Sequence, residues 1–222
     1  MKAVAVTRGT KSLKKDIPAV IRKIRTNIAL ERTTLLLVGS MARGTETRWS
    51  DIDFIAISEC RLPTWIPPLN VHLQFDTRTE FVAGITGGDD FRAWALRYGK
   101  VIVDDGWWAN LPREELMKLW PKWEPKVVHG SKNLRMSLGL AQTGDVVSAW
   151  REMIYAVSHI ARAILIAKQV FPLSRPELSD QLTSIGEIRL AKTLGQLLVE
   201  EPNLNDIISI GHDLEHRIRL MQ

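Results

Sequence analysis

The amino-acid sequence predicts an α+β fold: a mixed sheet flanked by helices in the front part, followed by an all-α helical bundle. Three observations carry this. Short apolar runs bounded by turn residues recur up to about residue 128, as strands do. Beyond it the glycines thin out and long patterns of helical period take over. The chain has 222 residues, 45% hydrophobic and 25% charged, which is length and composition enough for two small domains with real cores. The expected domains are 1–128 and 129–222, joined near 124–131.

In chain order, Ile17, Val20, Ile21, Ile24 and Ile28 recur at helical spacing with Lys and Arg between them. Residues 12–31 therefore read as an amphipathic helix, and Pro18 falls near its start, where a proline is tolerated. TLLLV at 34–38 is a buried strand, and IDFIAI at 52–57 is a second. The proline-rich RLPTWIPPLN is a loop, and the alternating VHLQF at 71–75 is a third strand. Thr79 to Tyr98 reads as helix, broken by Gly84, Gly87 and Gly88. KVIVDD at 100–105 is a fourth strand, LPREELMKLW opens a helix and KWEPK reads as a connector. From about 145 to 170, Val146, Trp150, Met153, Val157, Ile160 and Ile164 share one apolar face of a long helix. PLSRPELSDQL is a break and a helix start, and helices at 184–200 and 203–221 complete the bundle.

The single Cys60 cannot form an internal disulfide, so nothing points to an oxidising compartment. No apolar run reaches the roughly 18 residues of a spanning helix. The N-terminal stretch lacks the apolar core of a secretory signal. A cytoplasmic protein without membrane contact is expected. The net charge of +5 belongs to the front: the first 48 residues carry 11 basic and 3 acidic side chains. Such a surface favours encounter with anions such as nucleotides or nucleic acid.

The segment VGSMARGTETRWSDIDFIAIS, residues 38–58, carries the chemistry. A buried strand ends at Val38, and Gly39 allows a tight turn and close approach of backbone to a ligand. Ser40 offers a hydroxyl at the mouth of that turn, whose backbone N–H groups make an anion site. Ala42 keeps the turn compact, Arg43 adds positive charge and Gly44 ends the short helix. Asp51 and Asp53 sit two apart at the start of a strand, so both carboxylates face one side while Ile52 enters the core. Side by side they repel unless a cation sits between them, and Mg²⁺ is the natural partner. A phosphate cradle beside a two-carboxylate metal site suits nucleotidyl transfer.

Gly39-Ser40, Ala42-Arg43-Gly44 and Ser50-Asp51-Ile52-Asp53 together resemble the signature of the DNA polymerase β-like nucleotidyltransferases. More narrowly the pattern is similar to the small prokaryotic members, the kanamycin nucleotidyltransferase-like and minimal nucleotidyltransferase groups. The resemblance implies that Gly39, Ser40, Arg43 and Ser50 bind the nucleotide. It implies that Asp51 and Asp53 bind two metals, Mg²⁺ or Mn²⁺, and that a third carboxylate on a neighbouring strand completes the site and helps activate the acceptor hydroxyl. Thr77-Arg78-Thr79-Glu80-Phe81 matches the turn that often follows that strand in related sequences. Counting back from it, the acidic position falls near His72. Three readings stay open: Asp76 at the strand end supplies the group, His72 acts as the base, or the site is deficient.

The helical half resembles, more weakly, the HEPN (higher eukaryotes and prokaryotes nucleotide-binding) group. Gly144-Asp145, Ala149, Tyr155, His159, Ala163-Ile164-Leu165 and the run Phe171 to Leu178 carry that resemblance. The Arg-then-His spacing of its ribonuclease members is missing, so ribonuclease activity is not expected. Asp89-Asp90 reads as a helix cap and Asp104-Asp105-Gly106 as a turn. Trp49 is the tryptophan placed by sequence nearest a nucleotide, whereas Trp107, Trp108, Trp120 and Trp123 read as packing residues of an inter-domain core.

The expectation is an enzyme moving a nucleoside monophosphate from an NTP, with ATP the expected donor, to a hydroxyl of a small-molecule, protein or RNA acceptor. The alternative is a catalytically degenerate module that binds NTP or a partner, of toxin–antitoxin type. A homodimer or a HEPN-type protein is the expected kind of protein partner.

Overall fold

Thr33–Val38 (β1) is buried along its whole length, which makes it the centre of the sheet rather than an edge. The computed structural model describes residues 17–28, 32–46, 50–60, 67, 71–200 and 203–221. Ile52–Ser58 (β2) pairs antiparallel with β1, and Val71–Thr77 (β3) pairs parallel with β2. Lys100–Val103 (β4) pairs antiparallel with the other edge of β1, giving the order β3-β2-β1-β4. The sheet is mixed, and with the helical C-terminal region the fold is α+β.

The described chain forms two compact units, residues up to 83 with 95–114, and residues 84–94 with 115 onward. In the first, Ile17–Asn27 (α1) buries Val20 and Ile24 and keeps Arg22, Lys23 and Arg25 in water. Its expected extension over 12–16 and 29–31 lies outside the described residues. Gly39–Arg43 (α2) follows β1 directly and is anchored by buried Met41 and Ala42. The expected helix over 79–98 is two helices, Arg78–Gly87 (α3) and Asp90–Tyr98 (α4), parted at the glycine pair. Asp89 caps α4 by accepting from the Arg92 N–H at 2.7 Å, as its sequence position implied. Thr77 and Glu80 form a reciprocal capping box at the start of α3, with distances of 2.8 and 3.1 Å. Asp104 takes N–H groups from Gly106, Trp108 and Ala109, which makes it the turn residue after β4. Short Arg113–Met117 (α5) follows that turn.

In the second unit, Glu124–Gln142 (α6) is helical from the stretch expected to be a connector. The physical reason is Pro125: in a first turn its missing N–H costs nothing. Val146–Ala167 (α7) returns along α6, capped by Asp145 on the Ser148 N–H at 3.1 Å. Ser137 donates to the Ala149 carbonyl at 2.7 Å, and a Cβ at Gly130 would meet Ile160 at 2.7 Å. Partners that descend on one helix as they rise on the other make the pair antiparallel, and the small residues let it close tightly. Leu178–Ser184 (α8), Ile188–Val199 (α9) and Leu204–Met221 (α10) complete the bundle. Leu190, Leu194 and Leu197 face inward from α9, and Ile207, Leu214 and Ile218 from α10.

Of the tryptophans read as packing residues, three have ring contacts inside the units. Trp107 and Trp108 meet Phe81 edge-on at 6.0 and 5.8 Å in the first. Trp120 meets Phe171 in the second, and its indole donates to the Ile166 carbonyl at 3.0 Å. No helix among the described residues is long and apolar enough to cross a membrane.

Candidate active site

Three strands end in one row. Val38 on β1 pairs with Asp53 on β2, and Asp53 pairs with His72 on β3. Alternation puts Ile52 into the core, where it is fully buried, and leaves Asp51 and Asp53 together on the rim. Their side chains are 38% and 31% exposed, open enough for a ligand and shielded enough to strengthen electrostatics. The His72 ring stands beside both: Nδ1 lies 3.4 Å from one Asp53 oxygen and Nε2 lies 3.9 Å from one Asp51 oxygen.

The turn after β1 is built around this pair. Gly39 has φ of +70°, a left-handed conformation that glycine adopts without strain. A Cβ there would lie 2.4 Å from the Asp53 carboxylate oxygen, so the bare backbone makes room for the acid. Ser40 donates to the Ser50 hydroxyl at 3.0 Å, tying the turn to the residue before Asp51. The Thr45 N–H closes the short helix on the Ser40 carbonyl at 3.0 Å, with Gly44 in the left-handed cap. The Arg43 guanidinium lies 4.9 Å over the Tyr98 ring.

Gly39→Ala is expected to leave the fold intact while disabling this site. The left-handed Ala costs about 1–2 kcal/mol, and its methyl must push the Asp53 carboxylate aside. A displacement near 1 Å at a reacting centre costs on the order of 100-fold. Metal-dependent nucleotide binding should weaken or turnover fall by about that factor, with circular dichroism unchanged. Wild-type behaviour in both assays would refute this role for Gly39.

The sequence-derived residues are thus partly brought together. Gly39, Ser40, Ser50, Asp51, Asp53 and His72 form one constellation. Asp76 does not join it. It pairs in register with Ile57, is only 5% exposed and accepts from the Gln74 amide at 3.0 Å. Four residues of strand separate it from His72, about 13 Å. Trp49 lies outside the described residues.

Two hard carboxylate oxygens at one rim fit a single divalent cation whose remaining ligands are water or phosphate. Among the described residues no group of three His, Cys, Asp or Glu could hold a metal.

A polar cluster in the second unit has no motif signature. Lys126 pairs with Asp90 at 2.6 Å, and the His129 and His159 rings lie 5.5 Å apart. His159 Nδ1 is buried with no hydrogen-bond partner. Burial, followed by the charges of Lys126, Arg162 and His129, pushes the His159 imidazole down to about 3, with Asp90 opposing. The signal that could have found the cluster is contact between segments remote in the chain, which periodicity does not carry.

Comparison with known proteins finds a likeness over part of the chain. Residues 19–96 match the family model of the nucleotidyltransferase domain. Among solved structures the chain is similar to a nucleotidyltransferase-like protein from Exiguobacterium sibiricum 255-15, with 17% identity and a TM-score of 0.47 over 92% of this chain and 75% of that one. No curated protein matches it.

Proposed function

We propose that the protein is a metal-dependent nucleotidyltransferase that moves a nucleoside monophosphate from an NTP, with ATP the expected donor, to an acceptor hydroxyl. The observation that carries the reading is the Asp51/Asp53 pair set against Gly39 within a stretch that matches the nucleotidyltransferase domain. Gly39 and Ser40 border the pair on the side where the triphosphate would lie, and Ser50 steadies the loop that delivers Asp51. Arg43 adds positive charge near the phosphates. A bound Mg²⁺ or Mn²⁺, held by Asp51 and Asp53, neutralises charge on the phosphates.

The chain's own residues do the rest by positioning. The acceptor oxygen attacks the α-phosphorus, and the bond from that phosphorus to the bridging oxygen breaks. Pyrophosphate leaves with the electron pair of that bond. His72, the imidazole beside the carboxylates, takes the acceptor proton. Its substitution for an acid also motivates a second reading, an NTP-binding module without transfer.

The test is calorimetric titration of ATP, GTP, CTP and UTP with Mg²⁺ or with EDTA, followed by pyrophosphate release across an acceptor panel. Metal-dependent binding with release supports the enzyme, and binding without release supports the module. No binding of any NTP would sink both.

A further inference from the structure

We propose that this site takes one divalent cation, which arrives with the nucleoside triphosphate, and that His72 is the residue that keeps a second one out. The inference rests on the nucleotidyltransferase reading above and goes on to its metal stoichiometry.

The argument is one of charge and register. β3 presents a single side chain to Asp53 across the parallel ladder, and that side chain is His72. Its two ring nitrogens face the two carboxylates, at 3.4 and 3.9 Å. The rim therefore offers two negative charges and one imidazole. Two divalent ions about 3.5–4 Å apart would have to share those two carboxylates, while the triphosphate's charge compensates the ion that enters with it. Such ions repel strongly at that range, and a paired site needs more anionic ligand than this rim supplies. The imidazole brings no negative charge, and Mg²⁺ takes oxygen in preference to nitrogen.

β3 supplies no second acid to the rim. Asp76, the remaining carboxylate of β3, is buried beside Ile57 in register and engaged with Gln74. With only two carboxylates, the free protein binds a single ion weakly, because a hard cation held by so few protein groups draws its other ligands from substrate phosphates. Nucleotide and ion therefore enter together. The His72 side chain is 62% exposed, so replacing it tests the ligand count with little disturbance of packing.

The experiment counts Mn²⁺ by electron paramagnetic resonance of the full chain, with and without a non-hydrolysable ATP analogue. Nucleotide binding is measured in parallel by calorimetry. Wild type is expected to bind one Mn²⁺ per chain with the analogue, at least about tenfold more tightly than without it. His72→Asp is expected to raise the count from one to two and to introduce spin coupling between the ions. His72→Asn, which adds no charge, is expected to stay at one. Two ions in wild type, or one in both wild type and His72→Asp, would overturn the inference while leaving the nucleotidyltransferase reading in place. Failure of the analogue to bind at all would overturn both.

Discussion

Asp53→Asn is expected to lower pyrophosphate release on the order of 1,000-fold or more, because it removes charge where the reaction most needs it. Asp53 is the centre of the row Val38, Asp53, His72, and its carboxylate also fills the space left by Gly39. The amide is nearly isosteric, so the turn and the strand keep their geometry. What disappears is one of the two negative charges that hold a cation against the phosphates. The same substitution removes a like charge from beside Asp51. Thermal stability should therefore not fall, and the melting temperature is expected to stay level or rise. That opposition separates a functional carboxylate from a structural one. Parallel loss of activity and of melting temperature would show Asp53 to be part of the fold's support. Unchanged activity would remove it from the site.

Acidification is expected to destabilise the second unit through His159. The ordinary imidazole titrates near 6.5, and folding lowers His159 to about 3. Burial is the main cause, reinforced by Lys126, Arg162 and His129 and opposed by Asp90. The unfolded chain takes up a proton as the pH falls through 6.5, and the folded chain does not until near 3. Stability present above the unfolded value is therefore lost as the pH drops across that interval, at up to about 1.4 kcal/mol per unit. From pH 6.5 to 4.5 the group removes about 2–3 kcal/mol. Urea unfolding of wild type and His159→Gln at the two pH values isolates this part, since the other titrating groups are shared. The variant is expected to lose less stability by that amount. Equal losses would show that His159 is protonated alike in the folded and unfolded chains.

Much of the architecture was legible because local patterns are strong. TLLLV has no polar face, so it could only be a strand covered on both sides, and β1 is buried throughout. Gly87 and Gly88 marked the break between α3 and α4, whereas Gly84, read as a further break, lies inside α3; Asp89 served as the cap its position implied. The proline of KWEPK misled: in a first helical turn it starts α6 instead of interrupting the chain. In the candidate site, the alternation of a strand was enough to put Asp51 and Asp53 on one side.

What the chain determined by itself was the set of local elements and the chemistry of one short motif, since both depend on neighbours a few residues away. The pairing of β3 with β2 was decided only in three dimensions. A parallel ladder joins segments connected through a distant loop, and its register alone puts His72, and not Asp76, beside the acid pair. The cluster of Asp90, Lys126, His129 and His159 likewise exists only once helices from separate stretches pack. Burial there shifts the imidazole far from its ordinary titration, because desolvation and neighbouring charge are properties of the packed state that no sequence window contains.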